Sequence, residues 1–491
     1  MRTTIRQRRA GYLTTPKAQS IVLLLILAAA AALRLYALGA ESLWFDEAYS
    51  VWVARHGIGW QLSQSTQRIF PPAYYSLLHV WLALGDSEFA VRLLSVLLGL
   101  LSVLGMYALA RQLFDVRVGL IAAAILAVSP LHVAYSQEAR MYILLAALGT
   151  WSAYLMLLAL QHGRRWQWLS YVITMAIAMN THYFAIFLAL FQNLYVLHLV
   201  LRRRSRRGVW KPWLLSQAMI GMLSVVGLWG IFSGETTYWW GLLDTWHGAP
   251  TLRDLATTVF HFSLGNTVEG KLFYYGGLLL FGFCAAWSIV DVKNRRLSID
   301  AGLLFAGLYL AVPLGTVFLL SQFQSFWVLR YVFPFLPPWC IIVARGISRI
   351  PGHGARILTS AAIVLASLLP LANLYGYEQK EDWRGAVGYI SALEGPGDAI
   401  ILVDEDVWIP FEHYYRGSTR IVGISRGVAD PALLAARVGM LLPSSSRIWL
   451  VLSHTDNLAL KEYLQASRYT RLLAEKHFTQ VEVDLFAVSE S

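Results

Sequence analysis

Charge is scarce in this sequence: 14% of its 491 residues are Asp, Glu, Lys or Arg, where a soluble globular chain carries about a quarter. That scarcity excludes an ordinary cytosolic enzyme, and a 57% hydrophobic content excludes a disordered or fibrous chain. Cysteine is rarer still. Cys284 and Cys340 are the only two, each inside an apolar stretch, and they read as buried small hydrophobes rather than a disulfide or metal pair. No H-x-x-x-H or C-x-x-C spacing occurs, so no dedicated zinc site can be argued. Acidic residues are the sparser sign, 29 against 40 Lys+Arg, for a net charge of +11. In a soluble chain that excess would suggest nucleic acid. Here the basic residues fall in short clusters between apolar runs, which is how membrane proteins fix their orientation, and no nucleic-acid partner is expected.

Apolar runs and aromatics are abundant. Mean hydropathy is +0.52, with 19 Trp, 24 Tyr and 22 Phe. Crossing about 30 Å of hydrocarbon takes roughly 20 apolar residues per helix. Candidate spans lie near 20–38, 91–110, 117–131, 141–160, 167–181, 183–201, 213–233, 273–290, 301–320, 331–347 and 356–374. The third is short and ends at Ser129-Pro130, so it tilts or stops below the surface. One side of this arrangement receives Arg2, Arg6, Arg8, Arg9, Lys17, Arg111, Arg117, Arg164, Arg165, the Arg202–Arg207 cluster, Lys211, Lys293, Arg295, Arg296, Arg345, Arg349 and Arg356. The other side receives far fewer: Arg55, Arg68, Arg140, Arg253, Lys271 and Arg330, with Arg92 at a helix start. The positive-inside rule then places the amino terminus in the cytoplasm and the carboxyl end outside. The first span has a long apolar run and no A-x-A site closes it, so it reads as an uncleaved anchor.

The organisation expected is therefore a cytoplasmic basic tail (1–19), a membrane domain (20–376) and an extracytoplasmic domain (377–491). Two external loops, 39–90 and 234–270, are too long to be mere connectors. The second holds Tyr238-Trp239-Trp240, Asp244, Trp246, His247 and His261. Such aromatics anchor a chain at the interface or, in a groove, stack on a sugar. From about 377 the composition changes. Asp382-Trp383-Arg384 opens a helix-like segment, Asp398–Val403 reads as a buried strand, and helical patterns near 431–441 and 456–467 alternate with strands near 446–453 and 479–487. The fold class predicted is an α-helical polytopic membrane protein of about 11 transmembrane helices with a small carboxyl-terminal α/β domain. That domain has no Gly-rich nucleotide fingerprint and is not assigned catalysis.

Three motifs could carry chemistry. Trp44-Phe45-Asp46-Glu47-Ala48-Tyr49-Ser50 sets two adjacent carboxylates among aromatics just past the first span. One could act as a general base on an attacking hydroxyl; alternatively they serve a first helical turn. Ser136-Gln137-Glu138-Ala139-Arg140-Met141-Tyr142, between the third and fourth spans, offers an acid that could share a metal ion with the first loop. It also offers an arginine able to meet a phosphate by a forked contact, or both residues simply position a helix start. Leu329-Arg330-Tyr331-Val332-Phe333-Pro334 enters the tenth span from outside, where Arg330 snorkels to headgroups or holds a lipid phosphate beside Tyr331. Arg92 has the same two readings. Thr181-His182 is a weaker signal, read as a packed and hydrogen-bonded histidine.

These motifs, taken in order, resemble those of the polytopic C-type (GT-C) glycosyltransferases, specifically the bacterial branch of the protein O-mannosyltransferase and lipid A aminoarabinose transferase group. The matching residues are Phe45-Asp46-Glu47-Ala48, Arg92-Leu93-Leu94-Ser95 with Gly99, Ser129-Pro130, Tyr135 to Tyr142, Thr181-His182-Tyr183-Phe184, and Arg330-Tyr331 with Pro334. The resemblance implies transfer of a sugar from a polyprenyl phosphate to a hydroxyl on the external face, with inversion at the anomeric carbon. It implies that Asp46 is the base or acceptor-orienting acid, supported by Glu47. Arg330 and Tyr331, with Arg92 and Arg140, would hold the leaving phosphate, and Glu138 would be a further acid or metal ligand. Some relatives use a divalent cation, with Asp46 and Glu138 the candidate ligands, and others do not. The acceptor is a lipid, a glycan or a protein. The competing readings are a transporter of lipid-linked saccharides and a non-catalytic membrane scaffold. The first would want mid-helix charges and inverted repeats; the second leaves the acidic and arginine motifs unexplained.

Overall fold

The computed structural model describes residues 15–65, 71–202, 208–232, 248–268, 270–291, 294, 296–377, 380–403, 407–424, 445–453 and 459–489. The basic residues Arg2 to Arg9, Arg68, residues 203–207, the aromatic run 238–247, Lys293, Arg295 and the helical pattern near 431–441 lie outside them.

Among the described residues, eighteen α-helices precede the carboxyl-terminal region. They are α1 (Pro16–Leu35), α2 (Phe45–Arg55), α3 (Ile58–Ser65), α4 (Ala73–Trp81), α5 (Glu88–Leu113), α6 (Val116–Val128), α7 (Pro130–Ser136), α8 (Tyr142–His162) and α9 (Arg165–Met179). There follow α10 (Ala185–Leu201), α11 (Trp210–Leu223), α12 (Val225–Phe232), α13 (Leu252–Leu264), α14 (Lys271–Trp287), α15 (Ala301–Leu320), α16 (Leu329–Val332), α17 (Leu336–Arg349) and α18 (His353–Gly376). The chain divides into two compact units: a membrane unit of residues 1–36, 57–83 and 91–376, and an α/β unit of residues 37–56, 84–90 and 377–491. The stretch 39–90, expected as one external loop, carries α2, α3, α4 and the start of α5 and is divided between the two.

Several helix starts in the membrane unit are written locally. Thr15 accepts the Ala18 N–H at 3.2 Å ahead of Pro16, Asp115 accepts that of Val118 at 3.0 Å, and Asp300 accepts that of Leu303 at 2.8 Å. These are side-chain caps on otherwise orphan donors. Among the described residues, six helical stretches are long and apolar enough to cross a membrane: α1, α5, α8, α15, the Leu329–Arg349 stretch and α18. The pair α6 and α7, bent by 64°, makes a seventh. The protein is a multi-pass membrane protein. Each of the eleven expected spans overlaps a helix, but α9, α10 and α14 have 15, 17 and 17 residues. The segment near 213–233 breaks between α11 and α12 at Ser224. The expected count of about 11 therefore resolves into full crossings, one bent pair and shorter apolar helices.

The bend at Ser129-Pro130 is densely hydrogen-bonded. Pro130 has no N–H to give the Leu126 carbonyl four residues back, and a bare carbonyl in hydrocarbon is costly. Arg34, fully buried near the end of α1, reaches this break. Its Nη1 donates to the carbonyls of Ala127 and Ala30, both at 2.9 Å, and its Nη2 to that of Leu126 at 3.3 Å. Its Nε donates to Ser136 Oγ at 3.1 Å, and Nη2 lies 2.8 Å from His132 Nδ1. All five guanidinium N–H directions are used. The His132 ring completes the set through Ser102 at 3.1 Å.

The α/β unit closes with α19 (Trp383–Leu393), α20 (Trp408–Tyr414), α21 (Ala459–Ala466) and a five-stranded sheet. With a two-stranded ribbon at Val290–Asp291 and Arg296–Leu297 as β1 and β2, the sheet strands are β3 (Asp398–Val403), β4 (Arg420–Ile424), β5 (Arg447–Ser453), β6 (Thr470–Phe478) and β7 (Val481–Val488). Their order is β4-β3-β5-β7-β6, with β3 parallel to β4 and β5, and β7 antiparallel to β5 and β6. Alternation along β3 sends Ile400 and Leu402 to one face with Trp383, Ile390, Phe411 and Trp449, and Ile401 and Val403 to the other with Leu450, Leu460 and Phe486. Strands β4 and β6 are ones that the sequence pattern did not resolve, while β3, β5 and β7 fall where strands were expected.

Replacing Arg34 with Ala leaves several buried acceptors unmatched, each costing about 1–3 kcal/mol. Arg34→Ala is expected to lower the melting temperature in detergent strongly and Arg34→Lys less. Leu24→Ala, at a 64% exposed position of α1, is the control; equal melting of Arg34→Ala and this control would contradict the role.

Candidate active site

The paired acids lie in the α/β unit, in the first turn of α2. Trp44 is extended, with φ −79° and ψ 172°, and the helix begins at Phe45. The carboxylate that caps it is remote in sequence: Glu381 Oε2 accepts the Phe45 N–H at 3.1 Å and also the Trp383 indole N–H. Ser42 donates to the Glu381 carbonyl at 2.5 Å. Glu47 is fully buried, and its Oε2 is 3.2 Å from Lys380 Nζ. This pairing gives a buried charge the partner it requires and fixes the rotation of α2. Asp46, its neighbour, is only partly buried, and the positive end of the helix dipole faces both carboxylates. Glu88 receives Tyr414 Oη and Arg384 Nη1, both at 3.0 Å, and Tyr414 Oη in turn accepts the Leu43 N–H at 2.7 Å. Lys380 and Glu381 are the neighbours of this acidic pair that motif reading missed. The available signal was the Lys380-Glu381-Asp382 charge run directly after the last apolar span.

The arginine motifs lie in the membrane unit. Tyr331, in the short helix α16, packs its ring 5.3 Å from His182, 5.5 Å from Phe184 and 6.0 Å from Tyr142. Arg330 Cζ is 5.7 Å from the Tyr331 ring centre, and Arg140 Cζ is 5.8 Å from that of Tyr142. Three distant pieces of sequence therefore meet around one aromatic group: the 136–142 motif, the 181–184 motif and the 330–334 motif. His182, in the turn between α9 and α10, accepts the Phe184 N–H on Nδ1 at 3.1 Å. Its pKa is lowered to about 3, first by burial and then by Arg140 and Arg330, so the imidazole is neutral and carries its proton on Nε2. Arg140 is 2% exposed, and Arg92 is equally buried in the second turn of α5 rather than at a helix start. Glu138 is partly buried, and its carbonyl accepts the Arg140 N–H at 2.9 Å. Gln137 Nε2 donates to the carbonyls of Arg34 and Tyr36 at 3.0 and 2.8 Å, which ties this loop to the end of α1.

Among the described residues, neither Asp46 nor Glu138 belongs to a group of three His, Cys or carboxylate ligands within metal-binding reach. The group that does exist is Glu475, His477 and Glu482. There the Lys461 ammonium already bonds to Glu482 and lies 3.2 Å from Glu475, and exposed carboxylates so neutralised do not fit a divalent-cation site. At α2 the Lys380 ammonium likewise supplies the cation that Glu47 meets.

Residues 70–229, which include Arg92, Glu138, Arg140 and His182, match the family model described as dolichyl-phosphate-mannose-protein mannosyltransferase. Among solved structures the chain resembles ArnT from Cupriavidus metallidurans in the apo state, at 15% identity and a TM-score of 0.57 over 95% of this chain and 98% of that one. The same relative bound to undecaprenyl phosphate matches at 15% identity and a TM-score of 0.57, over 94% and 97% of the two chains. The apo oligosaccharyltransferase of Archaeoglobus fulgidus matches at 12% identity and a TM-score of 0.56, over 90% of this chain and 70% of that one. No curated protein matches the sequence. The chain therefore shares the fold of these membrane transferase structures. The family-model match is confined to residues 70–229, about a third of the sequence.

Because His182 is held unprotonated when folded, protonation favours the unfolded chain. Its contribution is level above about pH 6.5, and stability falls as pH drops from there toward 3, by up to about 1.4 kcal/mol per pH unit. Arg330→Gln is expected to raise the His182 pKa while leaving burial as the larger depressing cause. Nitrogen NMR of histidine-labelled protein reads this directly, and an unchanged titration would separate Arg330 from the ring.

Proposed function

We propose that this chain transfers a sugar from a polyprenyl-phosphate donor to a hydroxyl acceptor on the extracytoplasmic face, with inversion. The observation that carries the reading is the convergence of Arg140 and Arg330 on the Tyr142–His182–Tyr331 group, with His182 kept neutral. Cationic guanidiniums beside a neutral imidazole N–H and phenols form a donor set for an anion. A phosphate leaving group gains charge as its bond to the sugar breaks, and fixed guanidiniums away from bulk water stabilise that charge well. The undecaprenyl phosphate of the ArnT relative is a ligand of this chemistry.

In this reading Arg330, Arg140 and Arg92 hold the phosphate oxygens and Tyr331 adds a hydroxyl donor. The acceptor oxygen attacks the anomeric carbon as the carbon–oxygen bond to phosphate breaks, and Asp46 takes the hydroxyl proton. Glu47, locked to Lys380, orients the helix that carries Asp46 and takes no proton itself. Glu138 supports the Arg140 loop. The amino terminus is assigned to the cytoplasm and the α/β unit to the opposite side by the distribution of basic residues.

The test is a transfer assay on purified protein in detergent and lipid, with a panel of polyprenyl-phosphate sugars and a membrane extract as acceptor. Consumption of one donor is expected, reduced at least 100-fold by Asp46→Asn. Undecaprenyl phosphate binding should be retained in Asp46→Asn and weakened tenfold or more by Arg330→Ala. Wild-type turnover by Asp46→Asn would remove Asp46 from the mechanism, and no consumption of any donor by folded protein would overturn the transferase reading.

A further inference from the structure

One face of α2 is aromatic along its whole length. Phe45, Tyr49, Trp52 and His56 follow one another at helical spacing, their ring centres 6.5, 6.0 and 4.7 Å apart in sequence. The stripe starts beside Asp46 and ends at a cavity of about 220 Å³ within the α/β unit, lined by Trp52, Arg55, His56, Ile409, Glu412 and His413. Trp408 of α20 stands edge-on to Trp52, ring centres 5.8 Å apart and planes at 90°. A core stripe would be fully buried, but these four rings are only partly so.

The cavity is small and chemically mixed. It is below the roughly 300–1,000 Å³ of sites for drug-sized ligands and suits a single ring. Arg55 is bonded to Asp86 at 2.7 Å, so the cavity presents no uncommitted cation to an anionic guest. His413 is kept neutral by burial and then by Arg55, which lower its pKa to about 4. What remains is an aromatic wall, the Glu412 carboxylate and two imidazoles, hydrogen-bonding groups of both kinds with nothing that draws an anion. A neutral polyhydroxyl ring matches this, with its C–H face on the indole and its hydroxyls on Glu412, His56 and His413.

We infer that this face of α2 is a saccharide subsite for the acceptor, which is a glycan or glycolipid bearing a neutral sugar rather than a bare protein side chain. The inference rests on the transferase reading for its link to Asp46. Six residues of helix separate Asp46 from Trp52, roughly 9 Å along the axis, so a ring at Trp52 is not the ring that reacts at Asp46. It belongs to a further part of the acceptor, with the aromatic stripe carrying the intervening portion.

Saturation-transfer NMR on the full-length protein in detergent, with methyl glycosides of mannose, glucose, galactose and galacturonic acid as probes, tests the subsite without requiring turnover. Saturable binding of at least one neutral glycoside is expected. It should be weakened tenfold or more in Trp52→Ala, weakened less in Trp52→Phe, weakened in Glu412→Gln, and unchanged in Asp46→Asn. Should Trp52→Ala fail to fold, Trp408→Ala at the cavity edge serves in its place. No saturable neutral-sugar binding by wild type, binding indifferent to both tryptophans, or binding of the galacturonoside alone would overturn the proposal. Trp52-dependent binding together with full turnover by Asp46→Asn would leave the sugar site standing and remove the role given to Asp46.

Discussion

A helix that breaks inside a bilayer leaves carbonyls that no water will reach, and the membrane unit is organised around satisfying one such break. Pro130 has no N–H to give Leu126, and Arg34 donates to the carbonyls of Leu126 and Ala127 while also holding Ser136 and His132. A guanidinium is suited to this task because its five donors fan out in a plane and stay charged in a poor dielectric. The same bonds fix where α7 ends. Gln137 reinforces them by donating back to the end of α1, so the loop that carries Glu138 and Arg140 leaves the break at a defined point.

Arg140 therefore reaches the Tyr142–His182–Tyr331 group from a braced loop, while Arg330 comes from the short helix α16. Two guanidiniums at one aromatic cluster repel one another and cost free energy to bury. Beside them the imidazole of His182 is held neutral by burial and by the two guanidiniums.

Much of this was legible in the sequence. Apolar length and the basic clusters gave the membrane class, and the order of the 44–50, 136–142 and 330–334 motifs gave the glycosyltransferase fold. What pattern reading left out has physical causes. Helix count blurs where apolar runs are broken by polar punctuation such as Ser224, because hydropathy averages over the break. Arg34 reads as an ordinary flank of the first span, since its value lies in carbonyls about 90 residues away. Glu381 and Lys380 look like solvated charges after the last span, and only tertiary pairing reveals them as the cap of α2 and the counter-ion of Glu47. Strand β6 escaped detection because it is mostly polar and exposed along its length, whereas its partner β7 is the strand expected near 479–487.

The anchoring of α2 has a consequence for how the protein is made. Its first-turn amide, its buried Glu47 and the preceding Leu43 N–H are met by Glu381, Lys380 and Tyr414, residues that leave the ribosome more than 300 positions later. Until then a nascent chain holds a charged, aromatic helix without the groups that neutralise and cap it. The acidic helix thus reaches its final arrangement only after residues 380–414 have been made. Ordering of the acidic pair is coupled to synthesis of the segment that follows the last membrane span, a built-in delay after the first helices have formed.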